Sequence, residues 1–107
     1  MLPRKNKLKK KTDFKKVFDK GKYYGSSFIS LKAFENDLDY SRFGVIVGSK
    51  ISKKAVDRNK IKRRIENSIS LENIKAGQDI VIMVKPLILE KTFAEIKDQL
   101  SGLLKKL

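Results

Sequence analysis

Apolar positions in this 107-residue chain fall in short runs whose period changes from segment to segment, and the period names the element. Phe14, Val17 and Phe18 recur at i, i+3 and i+4, one face of a helix, with Thr12 as its N-cap and Gly21 as its stop. From Tyr23 to Phe34 the period drops to two, with Ile29, Leu31 and Ala33 on one side and Phe28, Ser30 and Lys32 on the other. After a polar loop over 35–39, the stretch Tyr40 to Ser49 alternates again, setting Phe43, Val45 and Val47 against Arg42, Gly44, Ile46 and Gly48. These two segments are expected to pair as an antiparallel hairpin, and alternation alone leaves open which face is buried.

Helical spacing returns with Ile61, Ile65 and Ile69, which predicts a helix capped by Ser52 and running toward Leu71, with Lys60, Arg63 and Arg64 outward. Ile80 to Val84 is continuously apolar and β-branched apart from Met83, the pattern of a central strand covered on both faces, and Pro86 ends it. Thr92 and Glu95 form a Thr-x-x-Glu capping box, and Phe93, Ile96, Leu100, Leu103, Leu104 and Leu107 line one face of the helix it opens. The order is α-β-β-α-β-α, an α+β chain folded as a two-layer α/β sandwich. Residues 1–107 are expected to form a single domain, since the length suits one core. Residues 1–11 carry Arg4, Lys5, Lys7, Lys9, Lys10 and Lys11 with little that is apolar, and read as a flexible basic arm that orders on its partner.

Charge narrows the function. Twenty-six Lys and Arg against 12 Asp and Glu leave a formal +14. Self-repulsion of that size is relieved by a polyanion, and nucleic acid suits best. A membrane partner is not expected, because no stretch approaches the ~20 apolar residues of a bilayer span and no signal peptide opens the chain; the protein is expected in the cytoplasm. Cysteine and histidine are both absent, which removes disulfides, thiolate nucleophiles, the commonest general base and most transition-metal ligand sets. Carboxylates remain. Asp57 and Glu66 lie nine residues apart on the same predicted helix. That is ~13.5 Å along its axis, too far for a magnesium pair held ~4 Å apart. No catalytic residue is therefore assigned to the protein.

The densest charge is Lys50, Lys53, Lys54, Arg58, Lys60, Lys62, Arg63 and Arg64, against the single acid Asp57. A helix with a rise of ~1.5 Å per residue can offer several of these to successive phosphates while its isoleucines anchor the other face.

The run Ser52-Lys53-Lys54-Ala55-Val56-Asp57-Arg58-Asn59-Lys60-Ile61-Lys62-Arg63-Arg64 resembles the signature of the bacterial ribonuclease P protein family, whose kernel is Arg-Asn-x-x-Lys-Arg after Ala-Val. Asp13 to Phe18 with Gly21, Phe43 to Val47, and Asp79 to Ile82 stand in the family's order, so the resemblance covers nearly the whole chain. It implies a βαβ crossover of left-handed sense, against the general right-handed rule. It also implies a protein that is monomeric apart from RNA and assists a catalytic RNA in removing the 5′ leader from precursor tRNA, with magnesium ions bound mainly by the RNA. Lys50, Lys53, Lys54, Arg58, Asn59, Lys60, Lys62, Arg63 and Arg64 become the expected RNA-binding set, and Phe14, Phe18 and Lys32 the leader-binding set. For Phe14 and Phe18 plain core packing stands beside leader stacking, and Phe28 is the alternative to Lys32. Lys60 and Glu66 depart from the family, which often carries Arg at both places; Arg64 is positioned to compensate.

Overall fold

The computed structural model describes residues 2–71 and 74–107. Its elements are α1 (Lys11–Lys20), β1 (Lys22–Gly25), β2 (Ile29–Glu35), β3 (Arg42–Ile46), α2 (Ala55–Asn67), β4 (Gln78–Val84) and α3 (Phe93–Leu104), with 3₁₀ turns at Arg4–Asn6 and Pro86–Glu90. The sheet order is β1-β2-β4-β3. The unbroken apolar run takes an inner position, as its composition demands: Ile80, Val81 and Ile82 are fully buried, with Ile80 and Ile82 toward one core and Val81 toward the other.

Two expectations about pairing are corrected. The segment Tyr23 to Phe34 is itself a hairpin, since β1 pairs antiparallel with β2 around the bend at Ser27 and Phe28. Ser26 stabilises that bend, donating from both its backbone N–H and its hydroxyl to the Ile29 carbonyl at 2.8 Å. Second, β2 and β3 are not partners: β2 runs antiparallel to β4, and β3 runs parallel to β4. Alternation identifies strands but carries no information about which neighbour they choose, and the more apolar β4 displaces β3 from the seat beside β2. A parallel pair needs a crossover, and α2 supplies it between β3 and β4.

Helices cover both faces. Ile61 and Ile65 of α2 and Ile96, Leu100, Leu103 and Leu104 of α3 join Ile29, Leu31, Phe43, Ile80 and Ile82 in the larger core. On the opposite face α1 packs through Val17, fully buried against Leu8 and Val81. The three longer strands thus turn apolar residues to both sides, which answers the question alternation left open for β3: Phe43 and Val45 face the large core, and Ile46 faces α1.

Cap positions shift for physical reasons. α2 starts at Ala55 and ends at Asn67, because Ser52 spends its hydroxyl on the turn before the helix, accepting from the Lys54 N–H at 3.2 Å. Thr12 lies inside α1, whose N-cap is Lys10. At α3 the capping box is present as expected, with Thr92 and Glu95 bonded reciprocally. Among the described residues no helix is long and apolar enough to cross a membrane.

Candidate nucleic-acid interface

The turn leading into α2 is pinned before the cations begin. Val47 and Ile51 are buried in the large core, and the Ile51 N–H donates to the Gly48 carbonyl at 3.0 Å. The Ser52 hydroxyl then donates to Asp57 at 3.2 Å, and Arg58 Nη1 donates to the Ser52 carbonyl at 2.9 Å. Asp57, the one acid of the segment, is thereby occupied in holding the turn to the first helical turn, where a negative charge also suits the helix dipole. Arg58 spends one of its five N–H donors on this contact and keeps the rest of the fork.

From that base the cations project outward. Lys50, Lys53, Lys54, Asn59, Lys60, Arg63 and Arg64 are exposed, and Arg58 and Lys62 are half-buried. Ile61 and Ile65 hold the helix from behind, Ile65 with no exposed surface at all. Among the described residues none of these eight cations lies within ion-pair distance of an acid; the pairs present are Lys7 with Glu66, Arg42 with Asp13 and Asp79, and Lys91 with Glu95. Like charges at this density repel one another on one face, and the fold leaves the repulsion unrelieved. Glu66, the departure from the family pattern, points away from the exposed basic set and meets Lys7 of the N-terminal segment at 3.8 Å.

The expected leader set is brought together on the α1 face. Phe14 and Phe18 flank Val17 and are each half-buried, packed in a cluster with Phe34, Ile46 and Met83. Lys32 reaches across from β2, donating from Nζ to the Phe18 carbonyl at 2.8 Å with its ammonium 5.6 Å from the Phe18 ring centre. Phe28 does not share this face: it is buried in the large core under the ammonium of Lys91. Core packing and an open edge coexist at both aromatics.

The largest difference from expectation is at the N-terminus. Residues 2–8, read as part of a flexible arm, are tied to the fold: Leu2, Asn6 and Leu8 are buried, the Leu8 N–H donates to the Phe43 carbonyl at 2.8 Å, and Asn6 Nδ2 donates to the Ser41 carbonyl at 2.7 Å. Lys7 forms a parallel bridge with Phe43, so the segment lies along the outer edge of β3. The high lysine content hid an alternation in which Asn6 and Leu8 are inward positions, a signal present but too short to outweigh composition. Sequence reasoning also missed Arg42. Its Nε and Nη2 donate to the two carboxylate oxygens of Asp79 at 2.8 and 2.5 Å, a bidentate pair that raises the Arg42 pKa above its ordinary value. Asn36 Nδ2 donates to the same carboxylate at 2.8 Å, so the buried Asp79 is fully partnered.

Fold and site together define a small α+β protein that presents an uncompensated cationic helix to a polyanion. The ribonuclease P family model matches residues 2–107. The ribonuclease P protein component of Pseudanabaena is 37% identical over 109 residues, covering 99% of this chain and 94% of that one. That of Clostridioides difficile is 35% identical over 102 residues, 92% of this chain and 89% of its own. The structure of the ribonuclease P protein from Thermotoga maritima superposes with a TM-score of 0.88 at 30% identity, covering 94% of this chain and 96% of that one. The chain belongs to the ribonuclease P protein family. The β3-α2-β4 crossover and the order of elements are consistent with that structure, as the resemblance implied.

Proposed function

We propose that this chain is the protein subunit of a ribonuclease P that trims precursor tRNA at its 5′ end, acting in the cytoplasm as a single copy beside its RNA. The observation that carries this reading is the surface made by α2 and the turn before it: eight cations, five of them on the helix, none paired with an acid among the described residues, with the helix held rigidly from behind. Arg58, Asn59, Lys62 and Arg63, with Lys50, Lys53, Lys54, Lys60 and Arg64 around them, bind the catalytic RNA. Guanidinium groups grip phosphate as planar forks and the lysines add point charge. Phe14, Phe18 and Lys32 hold the single-stranded leader, the rings by stacking and Lys32 by charge. Bringing two polyanions together is the protein's task, and screening their repulsion is how it lowers the requirement for ions.

Cleavage belongs to the RNA. Among the described residues no three acids gather where a metal ion could be held; Asp57 is bonded to Ser52 and Glu66 faces Lys7. The magnesium ions of the reaction are assigned mainly to the RNA.

The test is reconstitution of leader cleavage with the cognate catalytic RNA at low magnesium. Added protein is expected to stimulate cleavage, and no stimulation would overturn the reading. Arg58→Ala and Arg63→Ala should each weaken RNA binding and flatten its dependence on salt by ~0.7 to 0.9 in log–log slope per lost phosphate contact.

A further inference from the structure

The N-terminal segment builds a second cationic site outside both surfaces already described. Its docked stretch keeps the strand alternation, burying Asn6 and Leu8 and leaving Lys9 exposed beyond the half-buried Lys7. Alternate residues on such a stretch stand ~6.7 Å apart, a comb suited to successive phosphates of an extended strand. A pocket of about 230 Å³ opens beside it, walled mainly by cations, Arg4, Lys9 and Lys10 among them, with the ring of Tyr40 and one acid, Asp13.

The acids here are already spent. Asp79 and Asp13 both serve Arg42, and Glu66 faces Lys7. Lys5 lies over Tyr40, 5.1 Å from the ring centre. Arg4, Lys9 and Lys10 have no acid within ion-pair distance among the described residues. Buried anchors on either side fix the backbone that carries them, so binding incurs little further ordering. The segment also joins the two proposed RNA surfaces, touching α2 through Lys7 and Glu66 and running straight into α1 at Lys11.

We propose that this pocket is a separate contact for single-stranded RNA, taking backbone phosphates on Arg4, Lys9 and Lys10 and an adjacent base against Tyr40. The proposal rests on the reading of the chain as an RNA-binding subunit and adds a surface that the α2 helix does not include.

The experiment measures binding of the full chain to a short fluorescein-labelled single-stranded RNA across a salt series. Lys9→Ala with Lys10→Ala is expected to reduce the log–log slope by about 1.4, two contacts at the single-strand value. The control pair Lys97→Ala with Lys106→Ala, exposed on and after α3, should leave it unchanged. Tyr40→Leu should weaken binding about five-fold or more while Tyr40→Phe retains it. An unchanged slope in the N-terminal pair, or an equal fall in the α3 pair, overturns the proposal. Arg58→Ala with Arg63→Ala, measured on the cognate catalytic RNA in parallel, separates the two ideas: loss there with no effect at Lys9 and Lys10 sinks only the second site, and the converse sinks the α2 reading.

Discussion

Phe14 sits where it does because position 44 carries no side chain. A Cβ built on Gly44 would collide with the edge of the Phe14 ring, so the glycine is a seat for the aromatic and not a turn. Gly44→Ala is therefore expected to push the ring outward and destabilise the protein by about 1 to 3 kcal/mol, the usual range for overpacking. Thermal unfolding checks the loss, and affinity for a single-stranded leader is expected to fall as the ring is displaced. Residue-level legibility was uneven. The isoleucines of α2 and the outward cations were readable because helical spacing decides both at once. Arg42 was not: its partners Asp13 and Asp79 lie 29 and 37 positions away in sequence, and no local pattern marks a pair made across a sheet.

At the scale of elements, α3 shows a cap whose charge can be followed. The Thr92 backbone N–H and then its hydroxyl donate to the Glu95 carboxylate, each at 3.1 Å, and Lys91 adds a weaker attraction, so the Glu95 pKa is lowered. A carboxyl whose pKa is depressed by folding stabilises the native state above its unfolded value, ~4.3, and that stabilisation is lost as pH falls through the lower folded value. Following the Glu95 side-chain carbonyl by NMR should give a midpoint below the ordinary value, and Thr92→Ala should move it back up. The box was legible because both partners lie within four residues. Strand pairing was not, since β3 and β4 are separated by the whole of α2 and the choice between neighbours is made by relative burial. The start of α2 slipped by a similar cause: Ser52 is a good cap by type, but Asp57 and the Lys54 N–H already claim its hydroxyl.

For the whole molecule, the docked N-terminus changes what the charge can do. Leu8 is 6% exposed and packs with Val17 and Val81, so the first residues contribute to the second core as well as to the field around it. Leu8→Ala should cost about 2 to 4 kcal/mol, measurable by urea denaturation; a free arm would show no change. Composition read this segment as unfolded because lysine dominates it, whereas folding needs only the two or three inward side chains that it has. The rest of the fold class followed from period and order, since helix and strand runs in this arrangement leave few ways to bury every apolar face.

The bridge between Lys7 and Phe43 also closes the β3 margin of the sheet. A bare margin is an invitation for another chain to add its own strand and so to seed fibrils. Here the chain covers one side with its own first residues, and the far side ends in the four-residue β1, which carries Lys22. With both flanks guarded in this way, copies of the protein that meet at high concentration find no open margin on which to lengthen the sheet.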